Sequence, residues 1–184
     1  PNYRFLLEFI MKAMHKMILV SILSFGSAFA MANPTQNVSS AKVNANDQMT
    51  SQQELIDLFI AAAKMGNQEV ITEFLKHGFP VDVRNRAGYT ALMMAAYYGH
   101  QEVVTTLLAK GADRCARDHK GNTALMGAIF KLEWSIAKQL RQVDCDVNAA
   151  KTGQKTTAEF AKIIGQEEKL KQMTEAYSQK IETQ

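Results

Sequence analysis

Cysteine is scarce in this 184-residue chain. Two are present, too few for a disulfide-dense scaffold or a Cys-rich zinc site. Charge of one sign is scarce as well. The formal net charge is +3, and setting aside Arg4, Glu8, Lys12 and Lys16 in the first 30 residues leaves 18 Lys and Arg against 17 Asp and Glu. That balance argues against a globally basic nucleic-acid binder, so no nucleic-acid partner is expected. No apolar run is long enough to cross a bilayer. Residues 17–32 hold 16 positions, serines and a glycine among them, where a span takes roughly 20 apolar residues. Gly-x-Ser-x-Gly, the phosphate-binding loop and the dinucleotide fingerprint are also missing. The four histidines are His15, His77, His100 and His119. Neither His77 nor His100 has a second ligand three or four residues on, the spacing a helix-borne metal site needs. No metal, no cofactor and no enzymatic activity are expected.

What is present begins with an address. Lys12, His15 and Lys16 form a basic region, and Ile18, Leu19, Val20, Ile22, Leu23 and Phe25 a short apolar one. Ala28-Phe29-Ala30 supplies a small-x-small cleavage site, with Ala30-Met31-Ala32 as a second choice. Residues 11–30 thus read as a signal peptide, and residues 1–10 as lying upstream of the functional product. No cysteine follows the apolar region, so no lipid anchor is indicated. Residues 31–50 are rich in Asn, Ser, Gln and Thr and read as a flexible leader. The expected destination is export, to a bacterial periplasm, with no stable membrane insertion after cleavage.

The remainder, residues 51–184, repeats itself. Gly88-Tyr89-Thr90-Ala91-Leu92-Met93 recurs as Gly121-Asn122-Thr123-Ala124-Leu125-Met126, a step of 33. The same step links Ala62, Ala95, Ala128 and Ala161, and links Gly78 to Gly111 and Leu75 to Leu108. Thr90 and Thr123 sit where a hydroxyl caps a first helix. Leu92, Ala95 and Ala96 line one face of it, and small alanines let helices approach closely. Gly99-His100 turns the chain. Glu102 opens a second helix at the positive end of its dipole. Val103, Val104, Leu107 and Leu108 recur at helical spacing and face inward. Gly111 ends the helix in a left-handed conformation. Units are expected near residues 52–84, 85–117, 118–150 and 151–184.

This pattern resembles the ankyrin-repeat family. The family's signature Gly-x-Thr-Pro-Leu-His-x-Ala-Ala and its Gly-Ala-Asp turn match residues 88–96 and 111–113. The resemblance implies an all-α repeat solenoid of about four helix-turn-helix units joined by short extended or β-turn links. Departures are visible. The family's Pro is Ala91 and Ala124, and its His is Met93 and Met126, which replaces a polar tie between neighbouring turns by apolar packing. The third unit carries Leu132-Glu133 in place of Gly-His. The fourth keeps only the spacing, in Thr156-Thr157-Ala158-Glu159-Phe160-Ala161. The outer units read as caps, as stacks of this kind need. Ser51-Gln52-Gln53-Glu54 is a capping box expected to open the first helix, and the last helix has a polar outer face.

Cys115 and Cys145 lie 30 residues apart, in successive links. An exported chain meets an oxidising environment, which favours a bridge between them. Adjacent units stack roughly 10 Å apart, whereas a bridge needs Cα atoms within about 7 Å, which opposes it. The offset of 30 rather than 33 moves the two cysteines off equivalent positions. A disulfide and two small, partly buried thiols both remain open.

The resemblance also implies a binding face, on the concave side made by the links and the first helices. The matching positions are Arg84, Arg86, Tyr89, Tyr97, Tyr98, Arg117, His119, Lys120, Asn122, Phe130 and Lys131. This set is basic and aromatic, the composition of interface hot spots, and favours an acidic protein partner. The function expected is an exported, monomeric protein–protein interaction module. An inhibitor or immunity-type protein that blocks an exported enzyme, and an accessory factor in periplasmic oxidative-stress defence, are the alternatives.

Overall fold

A computed structural model describes residues 45–147 and 149–182 of the chain. The expected signal peptide, residues 11–30, and most of the expected leader lie outside the described residues. The chain divides into Pro1–Met49 and Thr50–Gln184. Of the first part only residues 45–49 are described, as the opening of a helix, and the second part carries the repeats.

Four pairs of helices succeed one another. The first is α1 (Ala45–Met65) and α2 (Gln68–Lys76). The second is α3 (Ala91–Tyr97) and α4 (Gln101–Ala109). The third is α5 (Ala124–Phe130) and α6 (Trp134–Leu140). A short α7 (Ala149–Thr152) fills the next link, and α8 (Thr157–Ile163) and α9 (Glu167–Glu182) form the last pair. No strand occurs among the described residues. First helices pack on first helices, α3 on α5 and α5 on α8, while each packs against its own second helix.

The 33-residue step sets this packing. Ala62, Ala95, Ala128 and Ala161 are all buried, so each first helix turns a methyl group to the interior at the same place. Val103, Val104 and Leu107 are fully buried on α4, as helical spacing predicts. Leu108 is only half-buried, because it sits at the edge of that face. Phe59, Phe74 and Phe79 close the first unit, with ring centroids 4.9–5.3 Å apart.

Thr90 and Thr123 cap α3 and α5 by accepting from the amides of Met93 and Met126. The fourth unit keeps the same device and adds to it. Thr156 accepts from the Glu159 amide at 3.1 Å, and the Glu159 carboxylate accepts from the Thr156 amide at 2.8 Å and its hydroxyl at 3.0 Å. These donors, the backbone one first, with Lys155 nearby, hold the Glu159 carboxyl below the usual carboxylate range.

One expectation about a helix end fails. Ser51 does not open the first helix, which already begins at Ala45 and runs through what reads as leader. No Gly or Pro stands between residues 45 and 51 to stop it, so the Ser-x-x-Glu pattern falls inside the helix. At the turn inside each pair, Gly66, Gly99 and Gly165 adopt a left-handed φ near +70 to +79°. Leu132 holds the same place in the third unit with φ +63°. A side chain there meets steric strain that glycine avoids.

Candidate functional site

The links are built by short polar side chains. Asn85 accepts from the amides of Ala87 and Tyr89, both at 3.0 Å. Asp118 does the same one step later, accepting from Lys120 and Asn122 at 2.8 Å. Each turn is closed by backbone bonds, Asn85 to the Tyr89 carbonyl and Asp118 to the Asn122 carbonyl. Tyr89 and Asn122 are thereby set at equivalent points before their helices.

Arginines join one link to the next. Arg84 Nη1 donates to the Gly88 carbonyl at 3.0 Å and to the Arg117 carbonyl at 2.6 Å. Arg117 Nη1 donates to the carbonyls of Gly121 at 2.7 Å and Lys155 at 3.0 Å. Its Nη2 reaches the Cys145 carbonyl and pairs with Asp146 at 3.5 Å. Asp146 in turn accepts from the Thr157 amide at 2.9 Å, at the start of α8. Beside this cluster Cys115 and Cys145 are bridged, with Cα atoms 5.1 Å apart. Cys145 stands where the preceding unit has Ala112, three places before the Cys115 equivalent. That shift brings the two cysteines closer than the spacing of equivalent positions would.

Sequence reasoning places Arg84 and Arg117 among the partner contacts, and in the structure both hold neighbouring links together. Nη1 of each donates to carbonyls of the fold; the Arg117 side chain is only 11% exposed, whereas Arg84 is exposed. A planar guanidinium suits such a clip because it donates in a fixed fork. The two arginines supply the tie between links that Met93 and Met126 lack. His119 stands in the second of these links and is exposed. Its ring covers Gly88, where an added Cβ would fall 2.5 Å from the His119 ring. Arg86 is exposed and is not among the residues that line the groove beside the links.

The groove runs between the links and the first helices and has a volume of ≈780 Å³. Six of the sequence-derived residues line it: Tyr89, Tyr97, Tyr98, Lys120, Asn122 and Phe130. Tyr97 and Phe130, one step apart, stack with centroids 6.1 Å apart, and Tyr98 meets Tyr97 edge-on at 5.1 Å. Tyr98 is 43% and Phe130 52% exposed, a degree of exposure that leaves both rings available to another molecule. Lys131 stands beside them, its Nζ 5.3 Å from the Tyr97 ring centroid. Lys64 sits likewise over Tyr98 at 5.3 Å.

Lys64, Met94, Gly127 and Phe160 also line the groove and escape the sequence reading. The step of 33 was the available signal. It carries Lys64 to Tyr97 and Phe130, and Met94 to Gly127 and Phe160. Asp57 and Asp118 line the groove too, so its charge is mixed. Lys64 and Lys120 supply its positive charge.

Among the described residues no group of three or more His, Cys, Asp or Glu side chains is placed to hold a metal ion. No helix among them is long and apolar enough to cross a membrane.

Paired helices in 33-residue register, with an aromatic groove on the link side, define a helical repeat protein. A family model described as ankyrin repeats (3 copies) matches residues 35–118 and 58–151. The matches span more than half of the sequence, and the chain belongs to the ankyrin-repeat family. Proteins of this family generally act as protein–protein interaction modules and are typically not enzymes. No curated protein matches the chain.

Proposed function

We propose that this chain is an exported binding module that holds a protein partner, acidic at the contact, in the groove of Tyr97, Tyr98 and Phe130. The observation that carries the reading is the stacked pair Tyr97–Phe130 with Tyr98 against it. Apolar rings left half in water gain free energy when a partner covers them, and aromatic side chains dominate interface energetics. The lysines at the groove favour carboxylates on the partner and speed its approach. Export is supported by residues 11–30, which have the three regions of a signal peptide, and by the Cys115–Cys145 bridge, a linkage that persists in oxidising compartments.

Two experiments test this. Affinity capture from a periplasmic extract compares the wild-type chain with a Tyr98→Ala/Phe130→Ala variant. One protein enriched by the wild type and lost by the variant supports the groove; equal recovery removes it from the role. Residues 1–50 fused to a phosphatase active only after export test the destination. An inactive fusion would withdraw the exported part of the reading.

A further inference from the structure

Gly127 is a glycine in the interior of α5 that the backbone does not require. Its φ is not positive. Its amide donates to the Thr123 carbonyl at 3.1 Å and its carbonyl accepts from the Lys131 amide at 3.2 Å, as in any helix. Glycine at such a place weakens a helix relative to alanine. Packing does not require it either. A Cβ there would lie 3.7 Å from Tyr97 Cβ and 3.8 Å from Tyr97 Cδ2, which is ordinary contact. The same place in the neighbouring units carries Met94 and Phe160, both half-buried and both on the groove wall. Between two large side chains, one unit is left with none.

Lysines outnumber carboxylates around this gap: Lys64 and Lys120 line the groove with Asp57 and Asp118, and Lys131 and Lys155 stand over its rings. Lys64 lies over Tyr98, Lys131 over Tyr97 and Lys155 over Phe160, with Nζ 5.3–5.6 Å from the ring centroids. Among the described residues no carboxylate lies within ion-pair distance of Lys64, Lys131 or Lys155. The Asp118 carboxylate accepts from the backbone amides of Lys120 and Asn122 and from the Asn122 side chain within its own turn, and Asp57 accepts from Gln53.

We infer that Gly127 opens a slot in the groove floor for one bulky apolar side chain of an acidic partner peptide, whose flanking carboxylates meet Lys64 and Lys131. The inference rests on the protein-binding reading and narrows it to a chemistry. A missing side chain between Met94 and Phe160 leaves apolar walls for an incoming one, and apolar burial drives its entry. Lysine ammonium groups held over ring faces are fixed near the mouth of the slot, where a carboxylate neutralises them.

The test uses fluorescein-labelled nine-residue peptides, Asp- and Glu-rich, whose central residue is Trp, Leu or Ala. A matching set has Lys in place of the acids. Binding to the full chain is followed by fluorescence anisotropy for wild type, Gly127→Ala and Gly127→Met. Wild type should bind the acidic Trp or Leu peptides at least tenfold tighter than the Ala peptide, and the Lys set weakly. Gly127→Met gives this unit the side chain that Met94 gives the preceding one, and a Cβ at this position meets only ordinary contacts. The substitution should erase the preference while melting no lower than wild type. Absence of binding by the acidic Trp and Leu peptides, indifference to the central residue, equal binding of the Lys set, or an unchanged preference in Gly127→Met would each overturn the inference. The broader reading fails separately. A captured partner lost with Tyr98→Ala/Phe130→Ala but kept by Gly127→Met would leave the module standing and remove the slot.

Discussion

Arg84 and Arg117 are one repeat apart, and the first donates its Nη1 to the main-chain carbonyl of the second at 2.6 Å. Arg117 then reaches Lys155 in the following link. The two arginines form a relay that joins three successive links. Arg117→Ala should lower stability by about 2–4 kcal/mol, because it strips several carbonyls of a charged donor and leaves Asp146 without its partner. Arg117→Lys should recover only part of the loss, since one ammonium cannot reproduce the fork. Urea unfolding of the three proteins measures both.

Leu132 occupies a left-handed position that its counterparts give to glycine. Leu132→Gly should stabilise the chain by about 0.5–1 kcal/mol, the relief of strain exceeding glycine's entropic cost. Leu132 is 53% exposed, so little packing is lost. A thermal melt at fixed scan rate checks the sign, and a lower midpoint would show that the leucine packs better than its exposure suggests.

Reduction offers a third measurement. The Cys115–Cys145 bridge closes a separation of 30 residues, and a loop of that size is worth about 2–4 kcal/mol of stability. Dithiothreitol, or Cys115→Ala/Cys145→Ala, should lower the unfolding midpoint accordingly. Thiol counting on denatured, unreduced protein should find no reactive thiol.

The capping box of α8 gives a pH signature. The Glu159 carboxyl is held below its usual range by Thr156, so its folded pKa lies under its unfolded one. The stability it contributes is present above the unfolded value and disappears as pH falls through the folded one. Glu159→Gln should therefore melt below wild type at pH 7, and the gap should close at acid pH. A gap that persists at low pH would mean the carboxylate's charge is not what matters.

Leu107 is completely buried. Leu107→Ala should cost about 2–5 kcal/mol, as a large-to-small change in a packed interior does. Its helical content, read by circular dichroism, should stay near that of wild type under native conditions.

Much of this molecule is legible in its sequence, for a physical reason. A solenoid buries each unit only against its neighbours, so the demands on Thr90, Ala95 and Val104 recur at a fixed step and write a period. The aromatic part of the groove comes from the same step. The bonds of Arg84 and Arg117 are not legible in the sequence, because composition records their charge and not the carbonyls they engage. Thr156 and Glu159 look degenerate beside Thr90 and Thr123, yet the capping geometry needs only a hydroxyl and a carboxylate at the right offset. Gly127 is silent for the opposite reason. Its contribution is the volume it leaves empty, which becomes visible only beside Met94 and Phe160.

The two edges of the stack are fastened unequally. On the link edge lie the bridge between Cys115 and Cys145 and the charge-assisted bonds of Arg84 and Arg117. On the second-helix edge, neighbouring units are tied by neutral side-chain bonds, Gln68 to Thr106 and Gln139 to Thr105. Bonds of the first kind are the stiffer. Opening between neighbouring units is therefore opposed more strongly along the links than along the second helices. The groove lies along the more firmly fastened of the two edges.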